Sequence, residues 1–174
     1  MGTGVMTDAP RLADCLAPLF EYPGASYRAT VAECRAAIEQ MLPSAAADLE
    51  RFANATERIS IEALQELYVA TFDLNPRCTL DLGWHLHGEA YERGALLAML
   101  REDMQHAGVS EGGELPDHLT SLLKLLARVT AARRVELAPL LEPALSVLQT
   151  SLDACHSPYA DLMKIAVATT RAGG

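Results

Sequence analysis

Residues 60–73 read SIEALQELYVATFD, and their spacing decides the fold class. Ile61, Leu64, Tyr68 and Phe72 recur at i, i+3, i+7 and i+11, which is one face of an α-helix and not the alternation of a strand. Ser60 stands where an N-cap is wanted, and Asn75 with Pro76 ends the run because proline has no N–H to donate. Opposite the apolar stripe, Glu62, Glu66 and Asp73 fall within about 40° of one another if the helix is regular.

Helical spacing continues on both sides of this segment. Leu12, Cys15, Leu16, Leu19 and Phe20 form a first helix that stops at Tyr22, Pro23 and Gly24. Ser26 is placed to cap a second, with Tyr27, Val31, Cys34, Ile38, Met41 and Leu42 inward, and Ser44 to open a third carrying Leu49 and Phe52. A fifth runs from about Glu89 to His106 with Gly108 as its stop signal, and Ser110 to Glu114 is a Gly-rich loop. Asp117 is placed to cap a sixth, whose Leu119, Leu122, Leu123, Leu126 and Val129 point inward while Lys124 and Arg128 point out. Leu140, Leu141, Leu145, Leu148 and Leu152 mark a seventh, and Ser157 with Pro158 opens the last. Residues 74–88 carry Leu80, Leu82, Trp84 and Leu86 in strand-like alternation broken by Gly83, and are expected to be an ordered connector.

The sequence therefore predicts an all-α fold: one globular bundle of about eight short helices over residues 1–174, with residues 1–8 and 171–174 disordered and 108–114 a flexible loop. Composition agrees, since 29 Ala and 27 Leu supply helix formers and core together. No apolar run is long enough to span a bilayer and no signal peptide is evident, which points to a cytoplasmic protein without membrane insertion. The net charge of -9 and the scattered basic residues, with only Arg133 and Arg134 adjacent, exclude nucleic acid as the expected partner and favour a basic ligand. Cys15, Cys34, Cys78 and Cys155 have no CxxC spacing, so reduced thiols are expected.

No GxGxxG, GxxxxGK[ST], HExxH or GxSxG is present, and the chain is expected not to be an enzyme. Cys78, His85 and His87 lie close in sequence, but the histidines at i, i+2 share no helical face, so no metal site is expected. Tyr68 and Phe72 are i, i+4 neighbours suited either to core packing or to a peptide groove bordered by carboxylates. Asp117 has a capping role, whereas His118, titratable near neutral pH, is unexplained by capping.

In ELYVATFDLNPRCTL (66–80), LGWHLHGE (82–89) and GELPDHL (113–119), with the LFEYPG turn (19–24) and SPYADL (157–162), the chain resembles the NarJ-type chaperones of respiratory nitrate reductase, within the TorD and DmsD-like redox-enzyme maturation proteins. The resemblance implies a non-enzymatic chaperone binding the basic, amphipathic N-terminal leader of a molybdoenzyme catalytic subunit. It would bind no cofactor stably and would assist insertion of the bis-guanine-dinucleotide molybdenum cofactor into that client. It further implies a peptide-binding surface on Tyr68, Phe72, Asp73, Pro76, Trp84, His85, Asp117 and His118, with Glu62 and Glu66 steering a basic peptide. The chain is shorter than is typical of the family, as if lacking much of a C-terminal tail. Its connector, WHLHGEAYERG, also departs, so a client related to nitrate reductase but acting on selenate, a chlorine oxyanion or a hydrocarbon fits as well. Two rival roles are a GTP-dependent switch or enzyme using Asp117 and His118, and a structural helical adaptor; a second copy of the chain is a further candidate partner.

Overall fold

The computed structural model describes residues 8–172, which form nine α-helices: α1 (Ala9–Leu16), α2 (Tyr27–Met41), α3 (Ala46–Glu57), α4 (Ile61–Tyr68), α5 (Leu82–His87), α6 (Tyr91–Ala107), α7 (Leu119–Leu126), α8 (Ala131–Ala154) and α9 (Tyr159–Ala172). The all-α bundle expected from periodicity is what is seen. The ninth helix comes from the connector, where the alternation of Leu80 and Leu82 reflects a single antiparallel bridge, Asp81 to His118, before α5 begins. Expected disorder at the termini falls, for residues 1–7 and 173–174, outside the described residues. Asp8 sits in the turn before α1, and Arg171 and Ala172 continue α9 as helix.

Helix α9 is the hub. Leu162, Met163, Ile165 and Ala166 are fully buried as α9 packs on α1, α3 and α8. Burying Leu162, Met163 and Ile165 contributes about 1.5–3 kcal/mol each before chain entropy is counted. Its first residue, Tyr159, is also fully enclosed and is the centre of an aromatic cluster: Phe72 at 4.7 Å, Phe52 at 5.3 Å and Tyr68 at 6.2 Å between ring centroids.

Local signals set most helix ends. The Ser60 hydroxyl accepts from Ala63 N at 3.1 Å, and the Thr130 hydroxyl from Arg133 N at 3.2 Å. Gly108 ends α6 at φ 67, the left-handed conformation that favours glycine. Ser26 does not cap α2 as expected: its backbone is already helical, and Tyr27 N donates instead to Gly24 O at 3.0 Å. Arg134, half of the only basic pair, is buried and donates to Leu126 O and Val129 O at the end of α7, while Arg133 is engaged by Asp103 and Glu136. Neither guanidinium is a free surface charge.

The expectation of four reduced thiols is corrected. Cys15 on α1 and Cys34 on α2 form a disulfide, with Cα atoms 5.6 Å apart, while Cys78 and Cys155 are free. Each paired cysteine belongs to the inward stripe of its helix, and packing α1 on α2 turns the two stripes together, which spacing along the chain does not report.

Candidate functional site

The π-helical turn Val69–Asp73 extends α4, with Leu74 N donating to Val69 O at 3.0 Å. A π turn interrupts the regular i→i−4 ladder and is often found at functional sites. Here it seats Phe72 against Tyr159 and puts Asp73 at the rim of a groove of about 810 Å³. Because the turn is wider than an α turn, Asp73 falls out of line with Glu62 and Glu66, which lie exposed on α4 away from the groove. The Glu62 carboxylate is held below the usual range by backbone and Ser60 hydrogen bonds, then by Arg28, a role local to the start of α4.

Tyr68 and Phe72 form the groove floor and are themselves nearly buried, at 6% and 4% exposure. The Tyr68 hydroxyl donates to Phe20 O at 3.0 Å, and burial, followed by the nearby Asp73 and Glu114, pushes its phenol pKa upward. Over this floor stands Tyr22, 55% exposed and edge-on to Tyr68 at 5.7 Å. The groove is thus lined by aromatic surface at its base and by an accessible ring at its mouth.

The opposite wall is the start of α7. His118, not Asp117, is the N-cap: its Nδ1 accepts from Thr120 N at 3.3 Å and lies 2.9 Å from the Thr120 hydroxyl. An accepting Nδ1 leaves the ring proton on Nε2, which faces Glu114 at 4.0 Å. Burial lowers the His118 pKa, opposed by Glu114, Asp81, Asp117 and Asp73. Desolvation wins, so the imidazole is neutral at pH 7.

Asp117 is fully buried and points away from the groove. Its Oδ2 accepts from Arg93 Nε at 2.8 Å, and Arg93 also reaches Asp81 at 3.1 Å. This corrects the expected capping role: backbone pairing of Leu82 N to Asp117 O (2.9 Å) and Leu119 N to Leu80 O (2.8 Å) turns the Asp117 side chain inward, to where α6 supplies a cation. Gly83 is required beside it, because a Cβ there would collide with the Asp117 carboxylate. The triad Arg93, Asp117 and Asp81 therefore ties α6 and the connector to the start of α7.

Of the remaining expected site residues, Pro76 is exposed outside the groove, and Trp84 and His85 are half-buried on α5, where His85 Nε2 meets Thr79 O at 2.7 Å. Groove-lining residues outside the expected site include Glu21, Tyr22, Thr79, Glu114 and, on the outward face expected of their helix, Lys124 and Arg128. Lys124 is paired with Glu21 and Arg128 with Asp14. Asp73 and Glu114, by contrast, have no Lys or Arg partner among the described residues, so the net character of the rim is acidic. Their signal was present in the FDLNP and GELPDH segments, but only the folded chain brings the two carboxylates to one rim.

Among the described residues no cluster of His, Cys, Asp and Glu could hold a metal ion, and no helix is long and apolar enough to cross a membrane. A family model described as nitrate reductase delta subunit matches residues 34–164. The chain is 30% identical over 169 residues to the probable nitrate reductase molybdenum cofactor assembly chaperone NarJ of Bacillus subtilis (strain 168), covering 93% of this chain and 89% of that protein. It is 34% identical over 102 residues to the nitrate reductase molybdenum cofactor assembly chaperone NarJ of Escherichia coli (strain K12), covering 58% of this chain and 43% of that protein, less than half the relative's length. Matched over most of its length, the chain belongs to the nitrate reductase delta subunit family.

Proposed function

We propose that this chain is a cytoplasmic, non-enzymatic chaperone for the catalytic subunit of nitrate reductase or a closely related molybdoenzyme, and that its groove holds the client's basic, amphipathic N-terminal leader. The observation that carries the reading is the pairing of an aromatic floor, Tyr68 and Phe72 under the exposed Tyr22, with a rim bearing the carboxylates of Asp73 and Glu114, which have no Lys or Arg partner among the described residues. An amphipathic helix lays its apolar side on such a floor, and a basic residue beside that side meets the rim. Family membership supplies the client class, since both relatives are named for molybdenum cofactor assembly.

The chain needs no cofactor of its own for this role. By binding the open, cofactor-free client more tightly than the mature one, it shifts the client toward the state that can accept the bis-guanine-dinucleotide molybdenum cofactor. A GTP-dependent switch through Asp117 loses support, because that carboxylate is held by Arg93 in the interior.

The test is titration of the purified protein with a client leader and with a scrambled peptide of equal charge. Tyr22→Ala should weaken leader binding by about 1–3 kcal/mol, as for an aromatic anchor, with little effect on stability because the ring is exposed. Asp73→Lys should chiefly slow association and flatten its salt dependence. Equal binding of the leader and its scramble would refute the assignment.

A further inference from the structure

The four cysteines fall into two spatial pairs, and only the first is bonded. Cys78 lies in the connector between α4 and α5 and is fully buried, whereas Cys155, the residue following α8, is exposed. One side chain touches both sulfurs: Asn75 Nδ2 is 3.4 Å from Cys78 Sγ and 3.7 Å from Cys155 Sγ. Asn75 is itself fixed, since its Oδ1 accepts from Arg77 N at 3.2 Å and its carbonyl from Cys78 N at 2.9 Å.

The other side is equally fixed. His156 takes φ 52, with His156 N donating to Asp153 O at 3.0 Å and Ser157 N to Leu152 O at 3.1 Å. These are the two bonds of a Schellman ending, here with a histidine where glycine is preferred. Cys155 is thereby held at the helix end beside Asn75. Burial first, and then Cys155 beside it, pushes the Cys78 thiol up to about 11.

We propose that Cys78 and Cys155 are a thiol–disulfide site that takes a small disulfide of the glutathione class as oxidant, reversibly tying the α4–α5 connector to the end of α8. The exposures set the order of events. Cys155, the accessible sulfur, loses its proton and attacks one sulfur of glutathione disulfide, whose S–S bond breaks to release one glutathione as thiolate. Cys78, beyond reach of the oxidant, then loses its proton and displaces the second glutathione from Cys155. Two protein thiols are oxidised to one disulfide, one glutathione disulfide is reduced to two thiols, and the two protons pass to the leaving thiolates. A buried, protonated Cys78 makes the second step the slow one at neutral pH. The bond would restrain the segment carrying Thr79, Leu80 and Asp81, which form one wall of the groove.

The full chain is incubated with glutathione disulfide, quenched with an alkylating agent and mapped by mass spectrometry without reduction. The expected product is a peptide containing Cys78 linked to one containing Cys155, with the loss of two hydrogens and release by dithiothreitol. Cys78→Ser should instead accumulate the glutathione adduct on Cys155, and Cys155→Ser should leave Cys78 unmodified. In the oxidised protein, amide hydrogen exchange over residues 77–81 should slow relative to the reduced protein. Wild type that stops at the adduct on Cys155 with Cys78 free, or that links Cys155 to Cys15 or Cys34, overturns the proposal. None of these readouts depends on leader binding.

Discussion

Replacing Asp117 by Asn separates two accounts of the same residue. As a helix N-cap, Asn is as good as Asp and the change should cost almost nothing, while Asp117→Ala should cost about 1 kcal/mol. As the buried partner of Arg93, Asp117 holds a charge-assisted hydrogen bond at 2.8 Å from a site with no solvent access. Such bonds contribute about 1.5–3 kcal/mol. Arg93 keeps Asp81 at 3.1 Å and is 18% exposed, so its loss is partly compensated. Asp117→Asn should therefore cost about 2 kcal/mol, and Asp117→Ala about 3 kcal/mol, the lower end for breaking a buried pair. Removing the cation should be worse: Arg93→Met strands a carboxylate whose Oδ1 already has no partner, for about 3–5 kcal/mol. The assay is urea unfolding followed by far-ultraviolet circular dichroism. With a slope of about 2 kcal/mol per molar urea, Asp117→Asn should move the midpoint down by about 1 M. The double variant should be less damaging than the sum of the singles. An Asp117→Asn protein within about 0.5 kcal/mol of the parent would refute the ion-pair account and restore the cap.

Three further outcomes are expected. Phe72→Ala should cost about 3–5 kcal/mol of stability because the ring is core as well as groove floor, and a cost below about 1 kcal/mol in the same urea assay would make it groove only. Lowering the pH should weaken the fold through His118, whose folded pKa lies below its unfolded value. The folded state binds fewer protons, so stability present above the unfolded pKa is lost as pH falls below about 6.5, by at most about 1.4 kcal/mol per pH unit. His118→Gln should flatten that slope, and an unchanged slope would contradict a neutral, buried imidazole. With Cys78 and Cys155 left as free thiols, replacing Cys15 and Cys34 together by Ser should destabilise the protein by about 3 kcal/mol, the chain-entropy value for a loop of this separation, and dithiothreitol should then cause no further drop in melting temperature.

Helical periodicity was enough to read the fold because the signal is local: Ile61, Leu64, Tyr68 and Phe72 report one face whatever packs on it. Caps were less legible, since Ser, Asp and His each satisfy a helix start and only the surrounding chain decides among them. At α2 the carbonyl of Gly24 displaced Ser26, and at α7 the bridge from Leu80 to Leu82 turned Asp117 inward and left His118 to cap. The Cys15–Cys34 bond was invisible for a related reason, because it depends on which stripes face each other across a helix pair. In sequence Gly83 only breaks the connector's alternation, while the physical reason for it is the Asp117 carboxylate that a Cβ there would meet.

The groove shows where regular geometry misleads. Projecting a straight α-helix aligned Asp73 with Glu62 and Glu66 and suggested one acidic face. The π turn after Tyr68 ends that alignment, and the cost of departing from regular helix is offset by what Phe72 gains against Tyr159. Once Phe72 has turned inward, the next residue turns out at the groove mouth, and Asp73 lines the same groove as Glu114. The same local irregularity thus completes the aromatic core and places a carboxylate at the site. A variant that restores regular α-helix there, for instance by deleting one residue between Val69 and Thr71, should disturb both together: it should lose stability by core misfit and lose the acidic rim even if refolded. If such a deletion kept the stability of the parent, the packing of Phe72 on Tyr159 would not be what holds the π turn in place.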